Sequence, residues 1–331
     1  MVRIVDVAKR ANVSTATVSR VISKPHSVKE ETMSRVLEAI QELDYQPNIL
    51  ARQLRTLETK MVIVVVPDIS NPFFSKVLRG IEHVAALNGY QVLLGDVSKD
   101  VEGGSSYLNI LRQKKADGMV FLTANINAKL VEEMASEYPV VLACEYIDGS
   151  NIPTVSIDNV SAARKATEYL IQLGHTRVAF ISGPLNSVLG KDRLKGYYQA
   201  GAQNNLMLDP VLVQEGDFSY ESGFNAMRKL LALKHFPTGV FAANDEMAFG
   251  AINAIKSKQL NVPSDISVIG FDDIKFSEIF EPALTTISQP AFEMGNVAME
   301  LLISLMNNQQ VSKNQYILED QLIIRKSCLK R

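Results

Sequence analysis

A short stretch near the start of the chain places small polar side chains and an arginine on one face of a predicted helix. Ser14 is a natural helix N-cap, and Val18, Val21 and Ile22 follow at the spacing of a buried helical face. The outer face is then formed by Thr15, Ala16, Ser19 and Arg20. Small side chains let a helix approach base edges closely, and an arginine pairs with guanine or with phosphate. The spacing therefore predicts a helix that lies in a DNA groove; a generic helical hairpin is the alternative.

Further along, polar and aromatic residues follow a series of apolar runs. If these runs are strands of a doubly wound sheet, the residues after them lie where such sheets bind ligands. Aromatic rings stack on the apolar face of a sugar, while carboxylates, amides and an arginine take its hydroxyl groups. Together they predict a sugar site in which Arg193 neutralises a buried Asp272; singly, each is equally explained as a helix cap or turn residue. The set is Asp68, Asn71, Phe73, Phe74, Glu145, Tyr146, Asp158, Arg193, Asn244, Asp245, Asp272, Asp273 and Gln289.

Three helices are predicted for residues 1–46, the segment that contains the first set. An apolar stripe at helical spacing predicts the first helix, and Asn12 provides the left-handed turn that leads to the second. The third is predicted to begin with a capping box of Ser27 and Glu30 and to end near Pro47. The stripes of the first and third helices are Ile4, Val7, Ala8 and Ala11, and Val36, Leu37, Ile40 and Leu43.

The pattern changes near residue 60, where apolar runs begin to alternate with helical segments. This alternation predicts a parallel sheet with helices on both faces. The length is too great for one such sheet, so residues 60–331 are predicted to form two doubly wound lobes. The apolar runs are residues 61–66, 91–95, 118–122, 140–143, 155–157, 178–181, 240–243, 267–271 and 321–325.

Composition excludes several classes of protein. The chain has 331 residues, 47% hydrophobic and 21% charged, and no apolar run approaches the length of a membrane span. The net charge is −2, but the first 24 residues hold five basic residues and one acidic residue, which fits a small DNA-reading module on a larger body. The two cysteines, Cys144 and Cys328, lack metal spacing, and we predict no catalytic residues, no metal and no cofactor. No secretory leader is evident, so we expect a cytoplasmic protein.

The first segment resembles the DNA-binding headpiece of the lac/galactose-type repressor family. The matching motifs are Asp6-Val7-Ala8, Asn12-Val13-Ser14 and Thr17-Val18-Ser19-Arg20, with Asn12 where the family usually has glycine. The resemblance implies contacts to double-stranded operator DNA from Asp6, Ser14, Thr15, Ala16, Thr17, Ser19 and Arg20. It also implies a hinge helix within residues 47–59, with contacts to DNA from Asn48 and Ala51 and a minor-groove wedge from Leu54.

Residues 60–331 resemble the periplasmic sugar-binding fold that forms the body of these repressors. The matching motifs include Asn71-Pro72-Phe73-Phe74, Asn244-Asp245-Glu246-Met247-Ala248 and Gly270-Phe271-Asp272. Glu145 and Tyr146 depart from the family pattern at one end of the sugar, and several stretches look most like a cytidine-type member, which implies a nucleoside effector. The sugar contacts that the resemblance to ribose-binding members implies are Asn71, Phe73, Phe74, Arg193, Phe218, Asn244, Asp272 and Gln289.

These features predict a ligand-responsive repressor that binds a palindromic operator as a homodimer and responds to a small ribose-containing effector. A solute-binding protein for transport is an alternative that suits the body, but the headpiece argues against it. A sugar- or nucleoside-processing enzyme with an added DNA module is a third interpretation, and the sequence shows no nucleophile–base pair for it. We expect a dimer because no leucine-heptad tail follows the last predicted strand.

Overall fold

The computed structural model describes residues 2–23, 25–45, 58–97, 105–124 and 127–331. The chain divides into two compact units, residues 1–59 and residues 60–331, called here the headpiece and the body. The predicted hinge contacts Asn48, Ala51 and Leu54 lie outside the described residues, and their role stays a prediction.

The described residues of the headpiece form three helices around a small apolar core. They are α1 (Ile4–Arg10), α2 (Thr15–Ser23) and α3 (Glu30–Glu42). Asn12 has a φ of 52°, which is the left-handed turn predicted between the first two helices. The backbone N–H of Thr17 donates to Ser14 Oγ at 3.1 Å, so Ser14 caps α2 as predicted. The core consists of Val7, Ala8, Ala11, Val18, Val21, Val36 and Ala39.

Two details of the third helix differ from the prediction. Pro25–Ser27 form a short 3-10 turn and α3 begins only at Glu30, so Ser27 lies too far from the helix start to form the predicted capping box. Leu37 is 50% exposed, whereas Val36 is fully buried. One residue rotates a helix by about 100°, and Leu37 therefore faces away from the core that Val36 faces.

The body alternates strands and helices, as the apolar runs predict. Its strands are β1 (Met61–Val66), β2 (Gln91–Asp96), β3 (Gly118–Phe121), β4 (Val140–Ala143), β5 (Thr154–Ile157), β6 (Val178–Ser182), β7 (Val213–Glu215), β8 (Gly239–Ala242), β9 (Ser267–Asp272), β10 (Thr285–Ser288), β11 (Gln315–Leu318) and β12 (Gln321–Ile323). Its helices are α4 (Pro72–Leu87), α5 (Ser105–Arg112), α6 (Ala128–Glu137), α7 (Asn159–Gln172), α8 (Val188–Gln203), α9 (Tyr220–Leu231), α10 (Asp245–Ser257), α11 (Phe276–Ile279) and α12 (Ala291–Met306).

The strands form two six-stranded sheets, one in each of two lobes. The sheet of the first lobe has the order β11-β5-β4-β3-β1-β2 and is parallel throughout. The sheet of the second lobe has the order β12-β10-β9-β8-β6-β7, and only its edge strand β12 runs antiparallel. The predicted architecture, a helical headpiece and two doubly wound lobes, is therefore confirmed.

The chain passes between the two lobes three times. It leaves the first sheet after β5, returns to it from β10 through α12 to β11, and leaves it again for β12. Helices α4 and α12 pack closely in the first lobe. Glycine at position 80 permits this approach, since a Cβ atom there would lie only 2.0 Å from the carbonyl oxygen of Phe292. The three passages bring residues that follow strands of both sheets to one shared cavity.

Candidate functional site

A cavity of about 530 Å³ lies between the two lobes, at the ends of their strands. This size suits a small organic ligand. Most of the predicted ligand residues line it, although they come from distant parts of the sequence. Those that line the cavity are Asp68, Asn71, Phe73, Phe74, Glu145, Arg193, Phe218, Asn244, Asp272 and Gln289. The structure thus brings ten predicted residues together, and their role as ligand contacts stays a prediction.

Asp158 does not belong to this cavity. It is exposed, and its carboxylate accepts a hydrogen bond of 2.9 Å from the backbone N–H of Ser161, which caps the start of α7. Asp158 therefore acts as a helix cap and does not line this cavity, and its role at a ligand stays a prediction. Asp273 was also predicted at the ligand, but its carboxylate forms an ion pair of 2.7 Å with Arg325.

Arg193 is held rigidly at the floor of the cavity. It is 3% exposed, its Nε donates to Asn159 Oδ1 at 3.0 Å, and its Nη1 donates to the carbonyl oxygen of Ala243. The guanidinium lies 3.7 Å from the centre of the Phe271 ring, a cation–π contact. The Arg193 guanidinium is therefore a planar, preorganised donor group, and its Nη2 remains available to donate to a ligand in the cavity.

Asp272 lies close enough to Arg193 for their charges to interact, but these two described side chains form no direct ion pair. The side chain is 7% exposed, and its Oδ1 accepts a hydrogen bond of 2.7 Å from Gln289 Nε2. Burial raises the pKa of Asp272 to about 7, and the nearby charge of Arg193 opposes that rise. The predicted neutralisation therefore acts through space, and one carboxylate oxygen remains for a ligand.

Glu145 occupies the side of the cavity that belongs to the first lobe. Its Oε2 accepts hydrogen bonds from the backbone N–H of Ala124 at 2.7 Å and from Thr123 Oγ1 at 3.4 Å. Burial raises the pKa of Glu145, while these hydrogen bonds and Arg193 lower it. Both hydrogen bonds end on one oxygen, so Oε1 is available to a ligand.

Aromatic side chains form opposite walls of the cavity. Phe73 and Phe74 contact each other edge to face at 5.2 Å between ring centres. Phe218 has a φ of 70°. A Cβ atom at Gly183 would lie 2.1 Å from the Phe218 ring, so glycine at this position leaves room for the ring where it now lies. Asn244 fixes this loop, because its Nδ2 donates to the carbonyl oxygen of Phe218 at 2.9 Å.

Asp245 has a role that the sequence did not reveal. It is fully buried and accepts hydrogen bonds from the backbone N–H of Ile274, from Ser277 Oγ and from Thr286 Oγ1 at 2.9, 2.7 and 2.6 Å. Burial raises its pKa to about 6. Asp245 therefore anchors the segment that follows Asp272 and does not face the cavity. The sequence signal, an aspartate just after an apolar run, is the same for both residues.

Two hydrogen bonds join the lobes across the cavity. Lys76 Nζ, on α4 of the first lobe, donates to the backbone carbonyl of Asp273 in the second lobe at 2.6 Å. Tyr146, which follows β4, donates its hydroxyl to Asp192 Oδ2 on α8 at 2.9 Å. Tyr146 is therefore an interlobe contact and does not line the cavity.

The predicted DNA-reading face lies on α2 as expected. Thr15, Ala16 and Arg20 are exposed, and Thr17 and Ser19 are half-buried. Ser14 Oγ is 2.9 Å from Thr17 Oγ1. Asp6 accepts a hydrogen bond of 2.9 Å from the backbone N–H of Arg3, so it caps α1 whatever its part in DNA contact.

Comparisons with known proteins identify the family. Residues 3–48 match bacterial regulatory proteins of the lacI family, and residues 167–328 match a periplasmic binding protein-like domain. The HTH-type transcriptional repressor CytR of Escherichia coli (strain K12) is 41% identical over 323 residues, which are 97% of this chain and 95% of that protein. The structure of the Lac repressor dimer bound to operator and the anti-inducer ONPF is 31% identical, with a TM-score of 0.89 over 99% of each chain.

A further structure is a lacI-family regulator from Enterococcus faecium with bound ribose, which is 28% identical with a TM-score of 0.75 and covers 82% of this chain and 99% of that one. This chain belongs to the lacI family. It is a transcriptional repressor with a helix-turn-helix DNA-binding headpiece and a ligand-binding body, and the predicted resemblance to a cytidine-type member is confirmed.

Two further observations concern the described part of the chain alone. It contains no cluster of three or more histidine, cysteine, aspartate or glutamate side chains that could hold a metal ion. None of its helices combines the length and the apolar character needed to cross a membrane.

Proposed function

We propose that this repressor binds a palindromic operator as a homodimer and that a ribose-containing effector, a nucleoside such as cytidine, controls its affinity for DNA. The exposed face of α2 enters the major groove, and the hinge segment contacts the minor groove between the two half-sites. The effector acts only through a difference in its affinity for the DNA-bound and DNA-free states.

The observation that carries the ribose proposal is the convergence of planar polar groups between aromatic walls. Arg193, Asp272 and Gln289 present a guanidinium, a carboxylate and an amide to one cavity, as adjacent sugar hydroxyls require. Phe73 and Phe218 supply ring faces for stacking. The similarity to a regulator solved with ribose and to a repressor named CytR supports the same ligand class.

Calorimetric titration of the purified protein with ribose, cytidine, adenosine, glucose and galactose tests the effector class. We expect at least one ribose compound to bind and to change the affinity for operator DNA measured in parallel. Binding of a hexose without a response to any ribose compound would contradict the ribose proposal and leave the repressor assignment intact.

Arg20→Ala tests the DNA-reading face. If Arg20 pairs with a guanine, its loss should cost about 1–3 kcal/mol of discrimination, because a bidentate arginine–guanine contact is worth that much. Affinity for the operator should fall more than affinity for random DNA, as measured by fluorescence anisotropy at one salt concentration. Arg35→Ala, an exposed charge on α3, is the matched control. Equal losses of affinity for operator and for random DNA would mean that Arg20 contacts only phosphate.

A further inference from the structure

Four helices of the described body begin at the cavity. They are α4, α8, α9 and α10, and their N-cap residues Asn71, Ser187, Ser219 and Asn244 all line it. Free backbone N–H groups and the positive end of the helix dipole make a helix N-terminus a ready site for phosphate. A cavity with four such ends would therefore be expected to favour a phosphorylated ligand.

All four helix ends are closed by their own side chains. Asn71 Oδ1 accepts from the N–H of Phe73 at 2.9 Å, and Asn244 Oδ1 accepts from the N–H of Met247 at 2.9 Å. Ser187 Oγ and Ser219 Oγ accept from the N–H groups three residues further on, at 3.0 and 3.1 Å. Pro72, the first residue of α4, has no N–H at all. At each of the four ends, one of the N–H donors that a phosphate would use is therefore already occupied, and at α4 another is missing.

Acidic side chains surround the same helix ends. Glu221 lies in the first turn of α9 and Glu246 in the first turn of α10, where they offset the helix dipoles. Asp68, from the first lobe, and Glu221 are close enough to Glu246 to add to the burial that raises its pKa. The described residues that line the cavity include six carboxylates, namely Asp68, Glu145, Asp217, Glu221, Glu246 and Asp272.

Arg193 is the single cationic side chain among the described residues of the cavity wall. Two of its nitrogens already donate to Asn159 and Ala243, and its charge is shared between Asp272 and Glu145. A phosphate group carries more than one negative charge at neutral pH. One engaged guanidinium does not balance that charge against the surrounding carboxylates.

We infer that the cavity selects the unphosphorylated form of its ligand, so that a free nucleoside or sugar binds and its phosphate monoester is excluded. The inference rests on the proposed function for the choice of ligand, but the exclusion follows from the capped helix ends and the carboxylates. Hydrolysis of a phosphate monoester would then raise the effector concentration, and phosphoryl transfer from a nucleoside triphosphate to the free ligand would lower it.

Matched pairs of ligands test the exclusion by calorimetric titration of the full-length protein. The pairs are cytidine and its 5′-monophosphate, adenosine and its 5′-monophosphate, ribose and ribose 5-phosphate, and glucose and glucose 6-phosphate. We expect the phosphorylated member of a binding pair to bind at least about 30-fold more weakly, since like-charge repulsion inside a closed site gives discrimination of this order. Inorganic phosphate alone should leave the melting temperature unchanged. A monoester that binds within threefold of its partner overturns the inference.

The double variant Glu221→Gln/Glu246→Gln tests the cause. It removes two charges at the helix ends. The ratio of the dissociation constant of the monophosphate to that of the nucleoside should therefore fall at least about fivefold. Glu132→Gln/Glu133→Gln, two exposed acids on α6, has the same change in net charge and should keep the wild-type ratio. An unchanged ratio in the first variant overturns the electrostatic explanation. Discrimination within the glucose pair, without binding of ribose compounds, would contradict the proposed effector but not the exclusion.

Discussion

Arg193→Ala should lower effector affinity at least about 100-fold. The variant loses the one guanidinium that the described cavity wall offers, and charge-assisted hydrogen bonds are worth roughly 1.5–3 kcal/mol each. It also leaves the carbonyl oxygen of Ala243 and the amide oxygen of Asn159 without their donor in a buried place. We therefore expect the free energy of unfolding to fall by about 2–4 kcal/mol. Calorimetric titration and urea denaturation measure the two effects.

Two companion variants sharpen this test. Arg193→Lys keeps the charge but not the planar fork, and it should bind effector weakly, because an ammonium group cannot donate to Asn159 and Ala243 in the same geometry. Lys191→Ala removes an exposed charge from the same helix and should bind effector as the wild type does. Operator binding without effector should survive in all three. Effector affinity within threefold of wild type in Arg193→Ala would refute the assigned position of the ligand.

Asp272→Asn should weaken effector binding at least about tenfold and yet stabilise the ligand-free protein. The pKa of Asp272 is about 7 in the folded state, against about 3.9 in an unfolded chain. Between these values the folded state holds a proton that the unfolded state has lost, so stability falls as pH rises from about 4 to about 7. Three pKa units correspond to about 4 kcal/mol, and we expect asparagine to recover at least about 1 kcal/mol at pH 8.

Denaturation curves between pH 5 and 8 measure this effect. The wild type should lose stability across that window, and Asp272→Asn should show a shallower slope. Part of the slope should remain, because Asp245 has a pKa of about 6 and acts in the same direction at the lower end. Asp148→Asn, at an exposed position after β4, is the control for loss of a carboxylate. If the free energy of unfolding of Asp272→Asn varies with pH as that of the wild type does, ionisation of Asp272 in the folded state costs no stability.

Apolar runs predicted the central strands well, because strands that are covered on both faces consist almost entirely of buried residues. Strand β1, for example, is a continuous run of valine, isoleucine and methionine. The missed strands are β7, β10 and β11. Strands β7 and β11 lie at sheet edges, and both contain glutamine and exposed positions that give no apolar run. Strand β10 is buried, but Thr285, Thr286 and Ser288 make its sequence polar.

The candidate site was predictable as far as chain topology determines it. Residues that follow parallel strands meet at one edge, and ten of the fourteen predicted ligand residues line the cavity. The sequence did not distinguish a cavity residue from an anchor. Asp272 and Asp245 both follow apolar runs of the sequence, but the packing of Ser277 and Thr286 around Asp245 turns Asp245 away from the cavity. Asp158 shows the same ambiguity, since a helix cap and a ligand contact have the same residue type.

The interlobe hydrogen bonds of Lys76 and Tyr146 set how far a ligand is able to regulate this protein. Two such bonds together contribute about 1–3 kcal/mol toward the arrangement in which the lobes contact each other at these residues. This free energy corresponds to a factor of roughly 5 to 150 in the equilibrium between lobes in contact and lobes apart, and an effector that favours contact need not supply that factor. When the binding-competent arrangement is already strongly populated, the apparent affinity for ligand is high. The ligand then changes the populations only slightly, so the difference in activity between free and occupied protein is small. Lys76 and Tyr146, which lie outside the ligand cavity, therefore influence the balance between sensitivity to the effector and the range of the response.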